Sequence, residues 1–169
     1  MKKLVRNHRF LLFAALVLTG VLALSCPAHA AWQMTHGTSG HVEREANVEN
    51  VIHYLGWGLD ITQKPGTSNW VHYAVPTLGD KKVGAQYVRL IFRTYSADAW
   101  VSDVHVYNGP TKIKEFKGSW SGNKTVTLNL GSVTRFNQGL GISVKINAGV
   151  EMMSHRVIFF GAGANFVDQ

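Results

Sequence analysis

YVRLIFRTY, residues 87–95, decides the fold. Val88, Leu90 and Phe92 fall on one side of an extended chain, and Arg89, Ile91 and Arg93 on the other. A period of two is the signature of a strand with one buried and one wet face. The same period recurs on either side of it. WVSDVHVY (100–107) sets Trp100, Val104 and Val106, with Ser102 between them, against Val101, Asp103, His105 and Tyr107. KTVTLNL (124–130) alternates Val126, Leu128 and Leu130 with Thr125, Thr127 and Asn129, and LGISVKI (140–146) aligns Leu140, Ile142, Val144 and Ile146. HRVIFFGAG (155–163) is more continuously apolar and reads as a central strand. Pro-Gly, Asn-Gly and Gly-Asn pairs at 65–66, 108–109 and 122–123 supply the positive φ that tight turns need. Short strands spaced by turns describe an all-β chain, expected here as a single antiparallel β-sandwich over 31–169.

Two segments are less legible. HVEREANVENVIHYL (41–55) carries Val48, Val51, Ile52 and Leu55 at helical spacing, but Gly56 and Gly58 follow at once, so helix and strand both stand. The stretch 31–50 is polar and glycine-containing and reads as a loosely held arm.

The first thirty residues have a different composition. A basic start (MKKLVRNHR), an apolar run from Phe10 to Leu24 and the small-residue site Ala28-His29-Ala30 make a secretory signal peptide, expected to be cleaved before Ala31. The apolar run is shorter than the ~20 residues of a spanning helix, and no later stretch is long and apolar enough to be one. A lipid attached at Cys26 is the alternative fate of this leader, although Ala23-Leu24-Ser25 is a poor version of that signal. Either way the protein is expected to be secreted or periplasmic. Removing Lys2, Lys3, Arg6 and Arg9 takes 17 basic residues to 13 against an unchanged 10 acidic ones, and the net charge from +7 to +3. So weak a positive charge gives no reason to expect nucleic acid as a partner. The only cysteine is Cys26, so residues 31–169 carry no disulfide, thiol nucleophile or cysteine-ligated zinc.

Candidate functional residues come from aromatics and titratable groups in these strands. Trp70 and His72 share one face of NWVHYAVPT (69–77), and Pro76 closes that strand. They can line a ligand groove or hold the sandwich together, and the second role is expected, with Trp70 buried and His72 bonded to a buried partner. Asp103, His105 and Tyr107 share a face of the next motif. An Asp beside a His can orient a general base or begin a metal site, and can equally be a solvated surface pair. No nucleophile accompanies them: GSWSG (118–122) lacks serine at its centre. No pair of histidines stands at a metal-ligand spacing, and GAGANF (161–166) is not a dinucleotide turn, so neither metal nor cofactor is expected. Trp57 and Trp120 lie beside turns, where aromatics can present a flat surface to a sugar ring. Trp120, among Ser and Gly, is the expected exposed contact, whereas Trp100 is expected in the core beside Val104.

NWVHYAVPT, VSDVHVYNG (101–109), GLGISVKI (139–146) and VIFFGAGANF (157–166) together resemble a family of small β-sandwich proteins of unknown function. Its marks are a Trp-x-His strand ending in Pro-Thr, a Val-His-Val-Tyr hairpin and a Gly-Ala-Gly C-terminal strand. The resemblance implies one sandwich domain and supplies no activity. Asn108 stands where the resemblance leads to an expectation of Asp, which weakens a reading of that turn as a cation site. The sequence therefore points to a non-catalytic binding or structural protein, with a glycan or another protein as partner. A hydrolase using Asp103 and His105 and a protein-assembly subunit are the alternatives.

Overall fold

A computed structural model of the chain describes residues 31–79 and 82–168. The leader, its cleavage site and Cys26 lie outside the described residues. The strands are β1 (Ala31–His36), β2 (His41–Val42), β3 (His53–Leu55), β4 (Gly58–Thr62), β5 (Ser68–Val75) and β6 (Val83–Thr94). They continue with β7 (Ala99–Asn108), β8 (Thr111–Trp120), β9 (Asn123–Thr134), β10 (Leu140–Ala148) and β11 (Arg156–Asp168). One sheet runs β3-β4-β11-β6-β9, with β1 also paired to β11; the other runs β2-β5-β10-β7-β8. Every pairing is antiparallel. The fold is an antiparallel β-sandwich, and among the described residues no helix is long and apolar enough to cross a membrane.

The alternating runs bury the residues that their period selects. Val88, Leu90 and Phe92 of β6 and Val157, Phe159, Ala162, Ala164 and Phe166 of β11 meet Val71, Tyr73 and Val75 of β5 and Leu140, Ile142, Val144 and Ile146 of β10. Tyr73 closes on Phe159 across the two sheets at 6.2 Å between ring centroids, and Phe159 touches Phe92 at 6.1 Å. β11 is central, as its continuous hydrophobicity implies, with β6 along one edge and β4 and β1 on the other. The edge strand β8 turns Lys112, Lys114 and Lys117 outward, charges that discourage edge-to-edge pairing with another sheet.

Three expectations are corrected. Residues 31–36 are no loose arm: β1 pairs in register from Ala31↔Phe166 to His36↔Gly161, and Arg89 lies 3.7 Å over the Trp32 ring. Gly161 and Gly163 permit this close approach, since a Cβ on Gly163 would stand 2.3 Å from the Gln33 carbonyl oxygen. The 41–55 segment is neither one helix nor one strand. It is β2, a 3-10 turn at Glu45–Asn47, and β3. Trp100 is not in the core. Val101 pairs with Ile146 and Asp103 with Lys145, so Ser102 is an extra residue, a β-bulge. The bulge reverses the alternation: Val101 is buried beside Val104, and Trp100 is carried to the opposite face.

Candidate binding face

The face of the five-stranded sheet that points away from the core carries most of the chemistry. Three rungs cross it. Trp70, Lys145 and Asp103 form one; His72, Ser143 and His105 the next; Ala74, Gly141 and Tyr107 the third. Each reaches this face for the same reason. Its strand neighbours Val71, Tyr73, Val104, Val106, Ile142 and Val144 are apolar and claim the core side. β8 adds a fourth column, with Glu115 opposite His105 and Lys117 opposite Asp103.

Contacts tie these columns together. The Trp70 and His105 rings lie 4.6 Å apart, tilted by 44°, and His105 stands 6.3 Å from the Tyr107 ring. His72 is held at both nitrogens, by Ser143 Oγ at 2.8 Å from Nδ1 and by Glu43 Oε2 at 3.1 Å from Nε2. Ser102 donates to the Asp103 carboxylate and accepts from Asn147 Nδ2 at 2.7 Å. Glu115 accepts from Lys112 at 2.6 Å, meets Lys117 Nζ at 3.2 Å, and faces His105 Nε2 at 3.4 Å. Hydrogen bonds from Lys112 and then Lys117 hold the Glu115 carboxyl at about 2, so it is ionised at any ordinary pH. Desolvation, reinforced by the Lys112 charge, lowers the His105 imidazole and keeps it neutral at pH 7.

Beside the third rung the face opens into a groove of about 480 Å³. Ala74 and Gly141 form its small-residue floor, with Ser39, His41 and His72 on one side and Gln138 on the other. The positive φ of Gly109 (54°) and Gly139 (95°) turns the two loops that bound it.

The sequence candidates separate cleanly. Trp70, His72, Asp103, His105 and Tyr107 come together on this one face. Trp70 is therefore not the buried core aromatic that its apolar strand suggested; Val71 and Tyr73 occupy that side. His72 does have a buried partner, the Ser143 hydroxyl (8% exposed), and meets Glu43 at its other nitrogen. Trp57, 44% exposed, sits in the β3–β4 turn of the other sheet and takes no part. Trp120 is corrected more sharply. It folds back over Gly118, where a Cβ would lie 2.4 Å from its ring, and packs against the core instead of standing in solvent. Glu43, Ser143, Glu115 and Trp100 were missed. Counting back from the Asn108↔Thr111 turn would set Lys114 opposite His105, but a register shift between Val106 and Tyr107 brings Glu115 there instead.

No family model matches the sequence, and no curated protein matches it. Solved structures do match in fold, several of them carbohydrate-binding modules. The low-affinity xylan-binding module CBM86 of Roseburia intestinalis has a TM-score of 0.50 at 13% identity, covering 80% of this chain and 96% of that one. A CBM36 domain of a xylanase from the hindgut metagenome of Trinervitermes trinervoides has a TM-score of 0.45 at 12% identity, covering 79% and 96%. A family two carbohydrate esterase from Cellvibrio japonicus has a TM-score of 0.41 at 14% identity, covering 81% of this chain but only 34% of the esterase. Likeness at this identity concerns the fold.

Proposed function

We propose that this protein is exported, loses residues 1–30, and as residues 31–169 is a secreted or periplasmic glycan-binding domain with no catalysis of its own. One observation carries the reading. Trp70, His72, His105 and Tyr107 stand together on a solvent-facing sheet surface that runs into a groove floored by Ala74 and Gly141. An indole offers a flat apolar surface to the C–H face of a sugar ring, and imidazole, hydroxyl and ammonium groups around it bond to the ring hydroxyls. The small floor leaves room for a chain of sugars to lie across the strands. The xylan-binding module of similar fold supports a glycan as the ligand class.

A secreted hydrolase is the competing reading, and the Ser143–His72–Glu43 chain of hydrogen bonds favours it. Against it, Ser143 lies mid-strand in β10 with ladders on both sides, so nearby backbone N–H groups are committed to strand pairing rather than free as oxyanion donors. Asp103 and His105 fare no better as an acid–base pair, because Asp103 accepts from the Ser102 hydroxyl while His105 Nε2 faces Glu115.

The exported protein is purified and tested by glycan array and by electrophoresis through xylan-containing gels. Retention is expected, and Trp70→Ala and Tyr107→Ala are expected to abolish it while Trp57→Ala leaves it intact. Undiminished retention of Trp70→Ala would sink the reading. Hydrolysis of p-nitrophenyl acetate that disappears in Ser143→Ala would favour the hydrolase instead. N-terminal sequencing of the exported protein is expected to begin at Ala31, and a lipid-modified Cys26 would overturn the export route.

A further inference from the structure

We propose that Asp103, His105 and Glu115 form a binding site for a divalent cation of the zinc class. The ligand atoms of the three residues, one from each, lie within 4.8 Å of one another. His105 Nε2 and Glu115 Oε2 are 3.4 Å apart. That is long for a hydrogen bond, but it matches the roughly 3.4 Å edge of a tetrahedron whose metal–ligand bonds are ~2.0–2.2 Å. A third ligand atom, from Asp103, lies within 4.8 Å of both.

The ligands are oriented by residues outside the set. Asn147 donates to Ser102, and Ser102 donates to the Asp103 carboxylate, a two-step relay that fixes a carboxylate as outer groups do in metal centres. The Trp70 ring, 4.6 Å away, restrains His105. The relay exists because the bulge at Ser102 leaves that residue outside both ladders and free to turn its hydroxyl to Asp103. Without the bulge, Asp103 and His105 would still share a face, but Asp103 would have no such partner.

The donor set selects the metal. An imidazole with two carboxylates suits zinc and its neighbours, whereas calcium and magnesium prefer all-oxygen shells. Three protein ligands leave a fourth position open, towards the solvent that this face meets. One feature opposes binding: Lys112 and Lys117 already neutralise Glu115. Both ammonium groups ride on long, exposed stems, so an ion can displace them, at a cost in affinity. The inference is independent of the glycan reading, since the ion is tested with no glycan present.

Isothermal titration of the exported protein with zinc chloride, with calcium chloride in parallel, tests it. One zinc per chain is expected, and no calcium. His105→Gln and Glu115→Gln each remove binding, while Ser102→Ala, which cuts the relay, weakens it about 10-fold. Lys112→Gln tightens it, because the competing ammonium is gone; a cluster that only forms surface ion pairs has no reason to respond so. His53→Gln, remote from the site, leaves zinc binding unchanged. The proposal is overturned if zinc does not bind, if calcium binds in its place, or if His105→Gln and Glu115→Gln, both folded by circular dichroism, bind as the parent does.

Discussion

Of the histidines that stand beside carboxylates among the described residues, His155 and His105 do so in contrasting surroundings. His155, 3% exposed, faces Asp98 with Nε2 2.8 Å from the carboxylate, and the same oxygen accepts the Glu151 N–H at 3.0 Å. Gly149 lies so close that a Cβ there would overlap the Asp98 carboxylate. Everything around this pair is committed, and its work is to pin the β10–β11 connection. His105, by contrast, meets Glu115 at a long 3.4 Å on a face open to solvent, with an indole on one side and a phenol on the other. The residue types are nearly the same. What distinguishes them is what holds the carboxylate: a buried imidazole and a backbone N–H at Asp98, two exposed lysine side chains at Glu115. A buried pair with fixed partners holds structure, and a pair whose partners are mobile surface ammonium groups can exchange them for a ligand.

The largest expected effect lies on the structural side. Asp98→Ala removes the partner of a buried imidazole and frees the Glu151 N–H. It should cost about 2–4 kcal/mol, a large share of the ~5–15 kcal/mol typical of a domain. Chemical denaturation measures the loss, and binding by the remaining folded protein should be unchanged. If glycan retention disappears while stability holds, the two histidines have been assigned the wrong way round.

Trp70→Ala is the converse. Because Trp70 is only partly buried, on the outer face, truncation should lower stability by only about 1 kcal/mol, against the ~3–5 expected of a core aromatic. Glycan affinity should fall at least 10-fold, about 1.4 kcal/mol. A denaturation midpoint that collapses without any change in binding would return Trp70 to a structural role.

The contrast also marks what the sequence could reveal. Period-two alternation was enough to find the sandwich and the face shared by Asp103, His105 and Tyr107, because alternation is a local property. It failed at Trp100, where one unpaired residue reverses the phase, and no composition cue marks Ser102 as that residue. It failed at Trp70 for a different reason. Both faces of β5 carry large side chains, so alternation fixed which residues share a face but not which face is wet. Glu43, Ser143 and Glu115 were beyond reach because strand pairing brings each to its histidine, Glu43 from just past the end of β2, and pairing register is long-range information. Trp120 was misjudged from its Ser and Gly neighbours: Gly118 is there to receive the ring.

That last point gives a smaller prediction. Gly118→Ala places a methyl where the Trp120 ring now lies, and the ring must swing outward. A red-shifted tryptophan emission and a loss of roughly 1 kcal/mol are expected, with no change in glycan binding. Unchanged emission would mean that the indole does not rest on that glycine.

The smallest effect tests a buried group that neither histidine touches. Tyr73 lies between the sheets, and its hydroxyl has no hydrogen-bond partner among the described residues. Burying an unpaired hydroxyl costs about 1–3 kcal/mol, so Tyr73→Phe should be neutral or stabilise by up to about 1 kcal/mol, the small void left against Gly40 offsetting part of the gain. Its sharper consequence is with pH. Burial, with a lesser contribution from Tyr54, pushes the Tyr73 phenol far above its ordinary 10.0. In the unfolded chain this phenol ionises near pH 10, while in the folded protein it keeps its proton. The folded state therefore binds more protons, and stability from this group is complete below pH 10 and falls as pH rises beyond it, by up to about 1.4 kcal/mol per pH unit. Denaturation of parent and Tyr73→Phe at pH 8 and pH 11 isolates this term, because every other titrating group is common to both. The variant should gain on the parent at the higher pH. An equal difference at both would mean that the hydroxyl ionises in place, and so reaches water or a partner that keeps it as soluble as in the open chain.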